Sequence, residues 1–366
     1  MSKNISLFKS YLDTDTPAYK GGKSKDEINF DGPIYKLSSN ENPIGASPKA
    51  IAAMQAKINN LFEYPDNTDL RLREALSTFY ENKLTPDQFV TANSGVGIIE
   101  LIVHAFLGEG LECIACNPAF LPYISFPTKV GAIIRDVPLL GKDYNIDIDG
   151  IIENINNNTR VIWLCSPNNP TGTYLPKKDI DKLLTKVPEH VVVILDEVYF
   201  QFATADDYTT SLPYVLKGKN VIGVNSFSKA YGLAGLRIGY AYSTPKIGRY
   251  LSKLQRPFYI NTLATEAAIA ALTDNEFLDL TVRAINQGKA YLYPELEKLG
   301  VIYWKSQANF FTIKPAMNPQ LFEEKMQNYG IMVRPVGNFG APGCVRITIG
   351  KQEANEAVIH AMKNIL

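Results

Sequence analysis

Short apolar runs alternate along the middle of the chain with longer stretches in which apolar residues recur every three or four positions. The runs FVTAN (89–93), LECIAC (111–116), AIIRDVPL (132–139), RVIWLCS (160–166), HVVVILDE (190–197) and NVIGVNS (220–226) are rich in β-branched residues and short, so they predict strands. Helical patterns lie between them. Ser47-Pro48 precedes Ile51, Met54, Ile58 and Leu61, so an N-cap serine and an N1 proline open a helix with one apolar face. Strand and helix in alternation predict βαβ units and a mostly parallel sheet between helices, an α/β fold. After about residue 260 the texture changes. LATEAAIAALT and the stretch from Asn275 to Leu299 predict helices, and VIYW, NFFTIKP and CVRITIG predict strands of a smaller α+β unit. Residues 1 to about 35 contain little but loop, and they are expected to pack on that second unit or close over a site.

Three of the central runs end abruptly in polar clusters: VIWLC before SPNNPTG, VVVIL before DEVY, and VIGV before NSFSK. Ligands of open parallel sheets bind just beyond the carboxyl ends of the strands, so these clusters are expected to share one crevice. In VNSFSKAYGLAGLRIGY (224–240), Lys229 sits among Ser, Ala and Gly. A lysine on such a loop can be desolvated, which disfavours its ammonium and frees the amine to attack a carbonyl carbon. Ser226 and Arg237 offer a hydroxyl and a guanidinium fork to an anion beside it. Asp196 follows five apolar residues, and a buried carboxylate needs a cation. The protonated ring nitrogen of a pyridinium cofactor is such a cation, and Tyr199 and Asn169 are spaced to reach that ring's phenolic oxygen. Ser94 and Gly95 follow a strand and open the helix through Ile99, Ile102 and Phe106, where free N–H groups make a phosphate cradle. Each segment alone also reads as a plain turn or strand end. Together they specify an aldehyde cofactor.

Composition narrows the partners. The chain has 366 residues, 46% of them apolar, with 37 basic and 37 acidic side chains. That length suits two domains, and the zero net charge with no basic helix-turn-helix speaks against a nucleic-acid partner. No window reaches the roughly 20 apolar residues of a membrane span, and MSKNISLFKSYL lacks a signal-peptide core, so a cytoplasmic protein is expected. Cys113 and Cys116 form a CxxC, but residues three apart on a strand face opposite sides, so the expectation is two buried thiols and no metal.

The ordered motifs SSNENPIG (38–45), YPD (64–66), NPTG (169–172), DEVY (196–199), SFSKAYGLAGLRIGY (226–240), VRPVG (333–337) and CVRITIG (344–350) run nearly end to end. The chain thereby resembles the fold-type I, pyridoxal-phosphate-dependent aminotransferases of classes I and II, and within them the histidinol-phosphate aminotransferases. The resemblance implies an N-terminal segment (1–35), a large cofactor-binding domain (36–260) and a small α+β domain (261–366). It implies Lys229 as covalent anchor and proton shuttle, Asp196 on the pyridine nitrogen, Asn169 and Tyr199 on the 3′ oxygen, and Phe120 stacked on the ring. Ser94, Gly95, Val96, Ser226 and Arg237 would hold the cofactor phosphate with Tyr64 of a second subunit, in a homodimer with shared sites. Arg346, Arg334, Tyr19 and Asn42 fall on the substrate side. The implied reaction moves an amino group from glutamate to 3-(imidazol-4-yl)-2-oxopropyl phosphate, or the reverse.

Two motifs depart from the pattern. The usual GSDE reads Ser94-Gly-Val-Gly97, and the usual PYxPGK reads Ala18-Tyr-Lys-Gly-Gly-Lys23. Both departures fit an aromatic-amino-acid transaminase as an alternative. A decarboxylase of phosphorylated amino acids shares most of the same residues. A non-catalytic sensor is disfavoured, because the aminotransferase pattern begins within about twenty residues and leaves no DNA-binding module.

Overall fold

The computed structural model describes residues 7, 9–12 and 22–366. A seven-stranded sheet is formed by β1 (Phe89–Ala92), β2 (Glu112–Ala115), β3 (Ile133–Asp136), β4 (Thr159–Cys165), β5 (Val192–Asp196), β6 (Val221–Ser226) and β7 (Gly239–Tyr242). Their spatial order is β1-β7-β6-β5-β4-β2-β3. β7 runs antiparallel to both of its neighbours, and every other pair is parallel. All six predicted runs become strands. The seventh, GYAY, escapes the pattern because it is four residues long, buried throughout and continuous with the lysine loop. β3 is shorter than its apolar run because it is an edge strand with one partner.

The helices that frame the site are α1 (Pro48–Lys57), α2 (Gly95–Phe106), α3 (Pro122–Lys129), α4 (Pro245–Ser252), α5 (Thr262–Ala271), α6 (Asn275–Lys298) and α7 (Gln352–Ile365). Ser47 caps α1 by accepting from the Ala50 N–H at 3.2 Å, and its hydroxyl donates to Asp274 at 2.6 Å. The expected apolar face of α1 is not buried within the subunit. Ile51, Ile58 and Leu61 are 40%, 54% and 53% exposed, and α1 instead packs on the alanine-rich α5. Alanines 264, 267, 268 and 271 of α5 belong to the core beneath the large sheet. The first helix after residue 260 thus joins the large unit, since small side chains let α5 approach closely.

Beyond it, β8 (Ile302–Trp304), β9 (Phe310–Lys314), β10 (Arg334–Pro335) and β11 (Val345–Thr348) form an antiparallel sheet in the order β10-β11-β9-β8. α6 and α7 cover it around Ile285, Leu292, Phe311, Ile347 and Met362. Tyr35 and Lys36 pair with Ile331 and Met332, which ties the stretch before residue 37 to this second core. Cys113 and Cys116 enter opposite cores of the large sheet, and burial pushes both thiols up to about 12. Neither is therefore a ready nucleophile or metal ligand. No helix among the described residues is long and apolar enough to cross a membrane.

Candidate active site

A cavity of about 420 Å³ opens where β4, β5 and β6 end, and the three polar clusters meet there. Asn169, Asp196, Tyr199, Ser226 and Lys229 line it, together with Ser94, Gly95, Val96, Phe120, Arg237, Arg334 and Arg346. Twelve sequence-predicted residues thus converge from loops spread over some 250 positions.

The Lys229 amine donates to the Ser39 carbonyl at 3.0 Å and lies 5.9 Å from the Tyr199 ring centre. Protein walls surround it, and its residual exposure is to the cavity. Burial, aided by the Arg346 charge, brings its pKa down to about 7. Asp196 is the opposite case: burial pushes its carboxyl up to about 6. Its carboxylate accepts from the Tyr123 hydroxyl at 2.5 Å and from the Val198 N–H at 3.3 Å. Among the described residues no cationic side chain reaches ion-pair distance of Asp196. Tyr123 is held by a stack on Trp163, with ring centres 5.2 Å apart and planes 10° apart. Sequence reasoning missed Tyr123, because a phenol three residues after Phe120 reads as ordinary core.

The Tyr199 hydroxyl accepts from Asn40 at 3.0 Å, and burial raises its pKa. Arg346 donates to Asn169 Oδ1 at 2.6 Å and to the Ser38 carbonyl at 2.8 Å. Arg334 faces Arg346 in register across the β10–β11 pair, so both guanidinium groups stand on one side of the sheet, 6.0 and 5.7 Å from the Phe339 ring. On the far side, Ser94 caps α2 by accepting from the Gly97 N–H at 3.2 Å. A Cβ on Gly239 would stand 2.4 Å from the Gly95 nitrogen, so only a glycine in β7 lets the helix terminus seat there. Ser226 donates to Ser228 at 2.9 Å, and Arg237, in the left-handed region at φ +53°, folds back on the Ala234 carbonyl at 2.8 Å.

Two predicted residues, Asn42 and Tyr64, stand outside this cavity. Asn42 turns away and donates to the Ala230 carbonyl at 2.9 Å and to Thr281 at 3.1 Å. Instead of facing a substrate, it braces the segment just after Lys229. The left-handed backbone of Asn40 redirects the chain there, so Ser38, Ser39, Asn40 and Glu41 line the cavity in its place. Tyr64 is 84% exposed and rests on Phe258, outside the cavity of its own chain. Tyr19 lies outside the described residues.

A pH signature follows from the buried amine. With no cofactor bound, Lys229 binds its proton only below about 7, whereas the unfolded chain holds one up to 10.5. Folding therefore releases a proton between those values, and stability rises with pH across that window. Lys229→Met should raise the melting temperature of cofactor-free protein near neutral pH, by about 1 °C per kcal/mol recovered, with the gain shrinking towards pH 10.5. Thermal melts at several pH values check this.

Fold and site together define a class: the chain belongs to the family "Aminotransferase class I and II", which it matches over residues 33–362. It is 37% identical to histidinol-phosphate aminotransferase 2 of Carboxydothermus hydrogenoformans over 334 residues, 91% of each chain. It is 36% identical to the histidinol-phosphate aminotransferase of a Geobacillus species over 353 residues, 96% of each. The crystal structure of Sinorhizobium meliloti histidinol-phosphate aminotransferase in complex with pyridoxal-5′-phosphate superposes with a TM-score of 0.85, 21% identity and 99% of each chain covered.

Proposed function

We propose that the protein is a pyridoxal-phosphate-dependent histidinol-phosphate aminotransferase. The observation that carries the substrate side is the register of Arg334 and Arg346. Like charges directly opposite one another on a strand pair repel. Two guanidinium forks on one face of a partly closed cavity suit a doubly charged phosphate head group better than a single carboxylate.

The residues present fit the cofactor. Asp196 is a buried carboxylate with no cationic side chain bonded to it among the described residues, which matches a pyridinium nitrogen, and the α2 terminus with Ser226 and Arg237 matches a phosphate. When bound, pyridoxal phosphate supplies the aldehyde that carries the amino group and the ring that draws electrons from the substrate's Cα. The Lys229 amine, neutral above about pH 7, is the covalent anchor and moves the Cα proton at its Nζ. Asp196, its carboxylate fixed by Tyr123, would keep the ring nitrogen protonated. Asn169 and Tyr199 would hold the 3′ oxygen, Phe120 would cover the ring face, and Arg346 with Arg334 would orient the substrate. Phe339 and Val96 add apolar lining to the cavity.

A homodimer belongs to this reading. Ile58, Leu61, Phe62, Tyr64 and Phe258 leave an apolar patch 45–83% exposed around an 84% exposed tyrosine, more than a single subunit leaves in water without reason. In the proposed dimer this patch is covered and Tyr64 reaches the partner's phosphate site. Phe62→Glu with Ile58→Glu should give monomers by sedimentation, with cofactor affinity lowered at least about tenfold. The proposed compartment is the cytoplasm, where four free buried cysteines suit a reducing environment.

The deciding assay compares histidinol phosphate with phenylalanine, each with 2-oxoglutarate. Histidinol phosphate should win by at least about 100-fold in kcat/KM, and Arg334→Leu should erase most of that margin. A preference for phenylalanine would assign the chain to aromatic transamination. Glutamate alone should convert the cofactor fully to its amine form, a conversion that a decarboxylase does not complete.

A further inference from the structure

We propose a second ligand site, for a nucleoside polyphosphate, at the end of the large sheet opposite the active site. Two cavities of about 600 and 460 Å³ adjoin where β5 and β6 begin, and they share Glu189, Asn220 and Lys246. The catalytic cavity lies at the other end of β6, six residues away or about 20 Å. The two sites are therefore separate.

One wall comes from α4. Its Ile247, Gly248 and Leu251 are buried against the sheet, while Lys246 and Tyr250, with Lys253 in the turn that follows, recur at helical spacing along the opposite face. The other wall is the turn after Leu216, which brings Lys217 and Lys219 to the second cavity. None of these four lysines forms an ion pair among the described residues. The remaining fixed cation, Arg249, is already bound to Asp87 at 2.8 Å. Glu189 is the one carboxylate lining either cavity among the described residues. In a chain of zero net charge, four ammonium groups around two joined hollows outnumber that one carboxylate and form a local positive field, and a polyanion relieves their mutual repulsion.

The ligand also has a flat end to recognise. Phe106 and Tyr250 stand side by side in the first cavity, with ring centres 5.7 Å apart. The Tyr250 hydroxyl donates to the Ala105 carbonyl at 3.1 Å, which fixes its ring while leaving the residue 45% exposed. A pinned aromatic wall bordered by ammonium groups suits a planar base. Lys246, at the junction of the two cavities, would take the first phosphate, and Lys217 and Lys219 the distal ones, since ammonium groups bind phosphates as point charges.

The test uses cofactor-loaded enzyme, so that the catalytic phosphate cradle is filled, and calorimetric titration with ATP and with tripolyphosphate. Wild type should bind one ATP per subunit, more weakly as salt is raised. Lys219→Glu with Lys246→Glu should weaken ATP at least about tenfold while the transamination rate is unchanged, and tripolyphosphate should bind wild type at least about tenfold more weakly than ATP. Three results each overturn the proposal: no heat with ATP at millimolar concentration, equal ATP affinity in the double variant, or tripolyphosphate binding as tightly as ATP. The last would reduce the patch to diffuse charge attraction.

Discussion

Lys229→Ala should remove the visible absorbance of the lysine-linked cofactor and lower transamination by at least about 10⁴-fold, the upper range for a group that moves the proton in the rate-limiting step. The expectation rests on the geometry around one amine. Its Nζ lies on the cavity wall, donates to the Ser39 carbonyl and, with its pKa brought down to about 7, gives up its charge readily near neutral pH. The other lysine in a comparable state, Lys289, whose amine burial brings down to about 8, sits against the Phe202 carbonyl and lines no part of the cavity. It cannot substitute. Absorbance spectra and single-turnover rates read the two parts of the prediction separately. Retention of the band in the alanine variant would remove Lys229 from its role as anchor.

Asp196→Asn should cost about 10²–10³ in kcat, the usual loss when one preorganised charge partner is removed from a dry site. The amide is nearly isosteric and keeps the acceptor for Tyr123, so the loss reports charge and not packing. Tyr123→Phe tests the same link from behind. The Tyr123 hydroxyl favours the charged carboxylate, and without it only the Val198 N–H and the Lys229 charge still oppose burial, so the Asp196 pKa rises further from about 6. In the loaded enzyme the paired cationic ring nitrogen holds the Asp196 pKa lower, and activity falls as pH drops through it, because a protonated Asp196 no longer holds that cation. The acid limb of the pH–rate profile should therefore move upward in Tyr123→Phe, with a loss of about tenfold near that limb. A variant with a lowered rate but an unmoved acid limb would make Tyr123 a packing residue only.

Much of this site was legible before any coordinates. The strand ends could be read because an apolar run that stops at a charged or amide side chain is an unusual local event, and three such events in parallel strands must share one end of a sheet. Lys229, Asp196, Asn169 and Ser226 all follow from that rule. Residues that serve the site through packing were not legible in the same way. Tyr123 looks like core because it is core, fully buried on Trp163, and only its hydroxyl direction makes it a partner of Asp196. Asn42 looked functional as part of a polar motif, yet a left-handed turn at Asn40 points it at Ala230 and Thr281. The apolar face of α1 was visible as a pattern, but not that much of it stays uncovered in one subunit.

Element types, polar strand ends and the chemistry each could carry are legible along the chain, because hydrophobic period and side-chain type are local properties. Only the tertiary structure decided that Arg334 and Arg346, twelve residues apart, stand opposite each other on one face. It also decided that Lys229 loses its charge readily, and that Lys246 and Lys219 border joined cavities at the far end of the sheet. Register, burial and the company a charge keeps depend on which distant segments fold against it, and that information is spread over the whole chain.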